Sequence, residues 1–214
     1  MQITRRVLAI FGAAFLLVSA CSPAGGAQKL GKYEDASDMA IGNVKAPLTL
    51  IEYASVTCVH CRQFHDTVYE QLKTNYIDTG KVRFVFREML TAPPEVAAAG
   101  FQLARCGGAS PEQYMNRVSA LFDQQNAVFQ SLQQGQARQV LLQTARASGL
   151  SEEQFQACIT DEKGYERIRE TAKQAEERYQ VTGTPTLVLN GKKLEPEALT
   201  YEGLSKILDT QAGK

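Results

Sequence analysis

The pattern of apolar and polar positions predicts a strand, a helix and a second strand near the start of the folded part. Leu48–Ala54 alternates and is rich in residues that favour strands. Across residues 61–76, apolar side chains recur at helical spacing, and Gly80 ends that segment. Residues 82–89 then have the pattern of another strand. Because a helix connects these two strands, we expect them to be parallel.

The middle of the chain, residues 91–160, has only helical patterns. Ser110 and Ser151 each begin a capping box, with a glutamine three residues later. Between these two signals, residues 136–147 predict a further helix, which Gly149 ends. The glutamine-rich stretch 124–136 predicts a solvated helix surface and a loop. Residues 91–160 therefore form a predicted all-helical insertion.

The last part of the chain returns to mixed structure. The charged segment Glu162–Tyr179 predicts a long helix, and Thr186–Leu189 predicts a strand. Asn190-Gly191 is a strong hairpin signal before a short strand at 192–194. A final helix is predicted at 201–208. The fold class is thus α/β, in which parts 47–90 and 161–214 form one mixed sheet with helices on both faces.

The first twenty residues have the order of a secretory signal. Arg5 and Arg6 precede an uncharged apolar stretch at 7–18, and small residues follow up to Cys21. Two processing routes remain open. Residues 18–21 resemble the lipobox of bacterial lipoproteins, in which Cys21 is lipidated and anchors the chain to the membrane, and ordinary cleavage before Cys21 is the other route. We favour the lipoprotein, with residues 21–46 as tether and lead-in segment and the periplasm or cell envelope as location.

Composition and charge exclude some classes of protein. The chain has 44% hydrophobic residues, which argues against disorder. It has 23 basic and 23 acidic residues, and removal of residues 1–20 leaves it slightly acidic. A chain without excess positive charge has no electrostatic reason to bind nucleic acid.

Five cysteines lie at positions 21, 58, 61, 106 and 158. In an exported protein, pairing is the default. If Cys21 is lipidated, Cys58 and Cys61 can pair across two residues, which leaves Cys106 for Cys158. That second pair would close a loop of about fifty residues, worth roughly 4 kcal/mol, and is interpreted as structural. If Cys21 is a free thiol, the mature chain has an odd cysteine.

The Cys58–Cys61 pair stabilises little, so its position suggests redox chemistry. It follows a strand and begins a helix, where backbone N–H groups and the helix dipole lower the pKa of a thiol. Cys58 is therefore the candidate nucleophile and Cys61 the resolving thiol. His60 could donate to the thiolate or carry positive charge near it. Val59 is apolar and could face a client peptide.

Three alternatives concern neighbouring polar residues. Cys58 and Cys61 could be half of a zinc site completed by His60 and His65, although redox chemistry is favoured and no cofactor or metal is expected. His65 could be a proton relay or, as we favour, an ordinary helix residue. Glu52 could point outward from its strand or be a buried acid that moves protons to and from Cys61.

The motifs together resemble the DsbA family of bacterial thiol–disulfide oxidoreductases. The resemblance rests on Ala46-Pro47, the segment LTLIEYASVTCVHC and Thr184-Pro185 before a strand and hairpin. It implies a thioredoxin fold with an inserted helical domain, a cis proline at Pro185, and client pairing with the backbone of Thr184. It also favours the buried-acid role for Glu52. Val59 and Thr184 depart from the residues that the best-known members have.

The expected function is oxidation of reduced exported proteins, with a membrane-bound partner that reoxidises the pair. A disulfide reductase or isomerase of the same fold is the first alternative. A non-enzymatic metal-binding lipoprotein is the second. A monomer is expected, because residues 28–46 are too short for the N-terminal dimerisation segment of isomerases.

Overall fold

A five-stranded mixed sheet organises residues 30–212, the part of the chain that the computed structural model describes. The strands are β1 (Met39–Ile41), β2 (Leu48–Ala54), β3 (Val82–Glu88), β4 (Thr186–Leu189) and β5 (Lys192–Lys193). Their order is β1-β3-β2-β4-β5. The pair β2–β3 is parallel and the other three pairs are antiparallel. Strands β2 and β3 are buried along their whole length, as expected for strands covered by helices on both faces.

One helical segment, α1, follows β2 and covers residues 59–77. It alternates between α-helical turns (Val59–Phe64 and Glu70–Leu72) and π-helical turns (His65–Tyr69 and Lys73–Ile77). The prediction of a helix between the two strands is confirmed, and with it the parallel pairing of β2 and β3. The π-helical turns were not predicted, because a change from 3.6 to wider spacing over five residues leaves little trace in an apolar pattern.

The insertion consists of helices, as predicted, and the structure has five of them. They are α2 (Pro94–Arg105), α3 (Pro111–Asp123), α4 (Gln125–Leu132), α5 (Ala137–Ala147) and α6 (Glu152–Ile159). Both capping boxes are present, since the hydroxyls of Ser110 and Ser151 accept from the backbone N–H groups three residues later. Cys106, directly after α2, forms a disulfide with Cys158 in α6, with 5.6 Å between their Cα atoms.

The chain then returns to the sheet. The long helix α7 (Glu162–Tyr179) precedes β4, and a 3₁₀ turn (Pro196–Leu199) leads into α8 (Tyr201–Ala212). Asn190 and Gly191 both have positive φ, 48° and 80°, as a type I′ hairpin between β4 and β5 requires. Within residues 30–212, no helix is long and apolar enough to cross a membrane.

The insertion shares one core with the sheet. Phe86 of β3 lies 6.1 Å from the ring of Phe101 in α2 and 6.1 Å from the ring of Tyr114 in α3. At the end of β3, the buried carboxylate of Glu88 accepts hydrogen bonds from Arg105 at 2.7 Å and from the Tyr114 hydroxyl at 3.0 Å. Arg167 of α7 donates to the same carboxylate. Helices α2, α3 and α7 are therefore connected through one side chain of the sheet.

The lead-in segment contributes the edge strand β1, which the sequence pattern does not predict because three residues are too few for a period. Ion pairs with β3 hold this segment against the sheet. Arg83 Nε donates to Glu34 at 2.8 Å, and Arg87 Nη2 donates to Asp38 at 2.7 Å. All four side chains are at most 7% exposed.

Substitution of Asp38 tests the importance of this buried pairing. Asp38→Asn should lower the free energy of unfolding by about 3 kcal/mol, because it leaves the buried Arg87 with only the half-exposed Asp35 as a charged partner. Asp78→Asn, which breaks the exposed pair with Lys73, should cost less than about 1 kcal/mol. Urea unfolding of both variants measures the difference, and equal losses would contradict the role assigned to Asp38.

Candidate active site

Cys58 lies where the loop after β2 turns into α1. It is the N-cap residue of that helix, with extended backbone angles of φ −90° and ψ 120°. The backbone N–H of Cys61 donates to Cys58 Sγ at 3.4 Å. The Cys58 side chain is half-buried, so its sulfur both contacts the free N–H groups of the helix start and remains accessible.

The surroundings of Cys58 lower the pKa of its thiol to about 5. The largest cause is a hydrogen bond with the Cys61 thiol, which burial opposes. The Thr184 side chain and the backbone N–H groups of Cys61 and His60 lower the pKa further. The contribution of His60 thus comes from its backbone, while its exposed imidazole lines a neighbouring cleft. Cys58 is therefore a thiolate at neutral pH, the reactive form of cysteine.

Cys61 has the opposite character. It is fully buried, and its Sγ accepts a hydrogen bond from the backbone N–H of Ser55 at 3.5 Å. Burial raises the pKa of Cys61 far above its usual value, and the hydrogen bond with Cys58 and the charge of Glu52 raise it further. Both cysteines are free thiols in this structure. The reduced pair consequently has one charged, accessible sulfur and one neutral, buried sulfur.

The loop before β4 places Thr184 and Pro185 next to this pair, although they come more than a hundred residues after it in the sequence. The Thr184–Pro185 peptide bond is cis. The carbonyl oxygen of Thr184 lies 3.3 Å from Cys58 Sγ, where it accepts a hydrogen bond when Cys58 is protonated. A second cis bond, Ala92–Pro93, precedes α2 and was not predicted.

Glu52 lies on β2 behind the two cysteines. It points to the same face of the sheet as Leu50 and Ala54 and is 3% exposed. Burial raises the pKa of Glu52 to about 8, and the charge of Cys58 adds to this rise. The alternative in which Glu52 points outward to the surface is wrong, because β2 is covered on both faces. A protonated carboxyl therefore lies within electrostatic range of Cys61 at neutral pH.

A cleft of about 580 Å³ opens beside the cysteines. It lies between α1, the loop of Thr184 and Pro185, and the segment that leads into α8. Its walls are formed by nine residues: His60, Gln63, Phe64, Thr67, Thr184, Pro185, Leu199, Thr200 and Tyr201. Val59 is 56% exposed, so an apolar side chain lies at the surface directly after Cys58.

His65 lies apart from this chemistry. Its ring stacks on Tyr69, with 4.7 Å between the ring centroids, and lies 5.0 Å from the ring of Phe122. Burial lowers its pKa, so the imidazole is neutral and packs as an aromatic side chain. Among residues 30–212, no three or more His, Cys, Asp or Glu side chains are arranged to hold a metal ion.

Gln125 is a residue of this site that the sequence does not reveal. The prediction of a solvated surface for residues 124–136 is wrong at this position, since Gln125 is 2% exposed. Its Nε2 donates to the carbonyl oxygens of Val56 at 2.9 Å and Cys58 at 3.1 Å. The capping and periodicity signals concern neighbours along a helix, so they carry no information about this contact between distant segments.

Comparisons with known proteins place this geometry in a family. The family model described as Thioredoxin matches residues 34–210. The chain belongs to the thioredoxin family, as a DsbA-like member. Its likeness to the crystal structure of alpha-DsbA1 from Wolbachia pipientis has a TM-score of 0.73 and 27% identity, and covers 84% of this chain and 93% of that one.

Curated relatives of this DsbA-like protein have matching names. A Rickettsia typhi protein named as a protein-disulfide oxidoreductase is 29% identical over 175 residues, which are 82% of this chain and 62% of the relative. A Bacillus anthracis protein named as disulfide bond formation protein D is 24% identical and covers 83% of this chain and 80% of that protein. The chain spans about three fifths of the length of the Rickettsia relatives.

The thiolate of Cys58 should be detectable by its pH dependence. The rate at which iodoacetamide alkylates reduced Cys58 should fall to half near pH 5, because the thiol is protonated below that value. Cys61→Ala should shift this midpoint upward, since it removes the largest stabilising hydrogen bond. Mass spectrometry of the alkylated protein measures both, and a midpoint near the ordinary thiol value of about 8.5 would contradict the geometry.

Glu52 should make the reduced protein less stable as the pH rises. The pKa of its carboxyl is raised from 4.5 to about 8, so between these values the unfolded chain ionises and the folded chain does not. Relative to Glu52→Gln, the wild type should lose up to about 5 kcal/mol of stability across that window and then level off, because the lowered pKa of Cys58 acts in the opposite direction in both proteins. Glu95→Gln, at an exposed position, should follow the wild-type curve. Urea unfolding of the reduced proteins from pH 4 to 9 is the measurement, and parallel curves for Glu52→Gln and wild type would disprove it.

Proposed function

We propose that this protein is a thiol–disulfide oxidoreductase of the bacterial cell envelope that donates the Cys58–Cys61 disulfide to reduced exported proteins. The observation that carries the proposal is the position of Cys58 as N-cap of α1, where its sulfur accepts from the backbone N–H of Cys61 and its pKa is lowered. A stabilised thiolate stabilises the reduced pair, and a pair that is stable when reduced is a strong oxidant when it is a disulfide.

The reaction begins with attack of a client thiolate on Cys58 Sγ, the accessible sulfur. The Cys58–Cys61 bond breaks, and its electron pair leaves on Cys61 Sγ, which takes up a proton. Glu52, a buried acid whose charge acts on Cys61, could supply this proton. A second client thiolate then attacks the client sulfur of the mixed disulfide and releases Cys58 as a thiolate. The client gains a disulfide and the protein ends as a dithiol.

The surroundings of Cys58 support a polypeptide client. The Thr184 carbonyl oxygen lies 3.3 Å from Cys58 Sγ. An extended client segment that pairs with the Thr184 backbone would therefore bring its own sulfur to Cys58. The cleft beside α1 has room for side chains of that segment, and the exposed Val59 adds apolar surface. His60 lines the same cleft and would contact the client.

The remaining parts of the proposal concern location and partners. Residues 1–29 lie outside the described residues, so export, cleavage before Cys21 and lipidation of Cys21 are proposed from the sequence motif. We propose a monomer, with the Cys106–Cys158 disulfide as a structural bond in the insertion. A membrane-bound partner would reoxidise the dithiol, and nucleic acid has no part in the function.

An isomerase or reductase remains the second candidate because of Thr184. A threonine before the cis proline is similar to that in disulfide isomerases and in DsbA-like proteins of other bacterial groups, and here its carbonyl oxygen lies 3.3 Å from Cys58 Sγ. Refolding assays separate the two: an oxidase should accelerate refolding of a reduced client, whereas an isomerase should also rescue a client with scrambled disulfides. The metal-binding alternative gains no support from residues 30–212.

The redox potential of the Cys58–Cys61 pair is the decisive measurement. Equilibration with glutathione, followed by thiol alkylation and gel electrophoresis, should give a potential between about −120 and −200 mV. The method needs no tryptophan, which the chain lacks. Cys58→Ser should abolish oxidation of a reduced client peptide. A potential near that of thioredoxin, about −270 mV, would overturn the assignment as an oxidant.

A further inference from the structure

One side chain of the insertion reaches the loop of the nucleophile. Gln125 is the first residue of α4, and its Nε2 donates to two carbonyl oxygens, those of Val56 and Cys58. These carbonyls lie on either side of Thr57, directly before α1. Among the described side chains that line the site, Gln125 thus connects the helical insertion to the peptide of the nucleophile.

The orientation of the Gln125 amide is determined by these two bonds. Its Oε1 is buried and has no hydrogen-bond partner, and it is the only such buried side-chain atom found within residues 30–212. The reversed amide would place Oε1 against both carbonyl oxygens, where acceptor faces acceptor. Because a buried acceptor without a partner is costly, this glutamine is a poor choice for stability alone.

The two bonds act on the geometry that stabilises charge on Cys58. The Cys58 carbonyl also accepts the first helical hydrogen bond, from the backbone N–H of Arg62 at 3.1 Å. The Cys58 carbonyl is therefore held by one donor from α1, the Arg62 N–H, and one from the insertion, Gln125 Nε2. The same backbone angles place Cys58 Sγ beside the backbone N–H of Cys61, which donates to it at 3.4 Å.

We infer that Gln125 is a positioning residue, which holds the Cys58 peptide in its N-cap conformation and thereby keeps the Cys58–Cys61 disulfide oxidising. The inference rests on the proposed redox function of this pair. Gln125 touches neither sulfur in a hydrogen bond, and acts through the backbone on which Cys58 depends.

The test compares Gln125→Met with wild type. Methionine conserves length and removes both donors, so the loop relaxes and the thiolate loses part of its N–H contacts. The equilibrium with glutathione should shift about fivefold toward the protein disulfide, which is about 20 mV for this two-electron couple. The pH midpoint of Cys58 alkylation should rise in parallel. Thermal stability should change little, because the unpaired Oε1 is also removed.

Gln102→Met is the matched control. Gln102 lies in α2 of the same insertion, is 7% exposed, and donates through Nε2 to the backbone carbonyl of Asp161 at 2.5 Å. Its loss removes a buried glutamine hydrogen bond far from Cys58 along the chain. It should lower stability and leave the potential and the alkylation midpoint unchanged.

A second apolar variant guards against poor folding of the methionine variant. Gln125→Leu also removes both donors without burying a charge, and it should shift the equilibrium in the same direction as methionine. If the variants match wild type in potential and midpoint, or if Gln102→Met shifts them equally, the inference is wrong. It is also wrong if neither Gln125 variant folds, because the residue then serves core stability. A thioredoxin-like potential of the wild type would instead refute only the proposed oxidant function.

Discussion

The stabilisation of negative charge at the start of α1 is the interaction on which the rest of the site depends. Backbone N–H groups without helical partners meet one sulfur there, and burial of the second sulfur makes the two cysteines unequal. The surrounding fold maintains this inequality. The loop that carries Cys58 follows strand β2. The Thr184 carbonyl, in the loop before β4, lies at the Cys58 sulfur, and Gln125 of the insertion donates to the backbone of the Cys58 loop. Each of these contacts comes from a different part of the chain and ends at the same residue, Cys58.

Much of the fold follows from the sequence because its signals are local. Strands β2, β3 and β4, the crossover helix, the two capping boxes and the hairpin at Asn190 all depend on periodicity or on turn chemistry over a few residues. Strand β1 has no such signal. It is ordered by pairing with β3 and by the ion pairs of Arg83 and Arg87, which are contacts between segments more than forty residues apart.

The site divides in the same way. Cys58 and Cys61 could be identified from spacing and from their place between a strand and a helix. The position of Thr184 next to Cys58 could be predicted only from the family resemblance, because 126 residues separate the two in sequence. To predict from the strand pattern that Glu52 is buried requires knowing that β2 is covered on both faces. Gln125 could not be found at all, since its helix has an ordinary polar pattern and only tertiary packing turns it inward.

The Cys106–Cys158 bond gives the chain a second disulfide with a different relation to solvent. Cys106 is 3% exposed and lies against the insertion core, where Arg117 also donates to its carbonyl oxygen. Thiol–disulfide exchange requires a path for an incoming thiolate, and here that path exists only on the side of the half-buried Cys158. If a thiolate attacks Cys158, the displaced Cys106 sulfur stays in the insertion core, where the 5.6 Å between the two Cα atoms suits a disulfide, so the original bond can reform. The proposed exchange with clients would therefore leave this second disulfide in place.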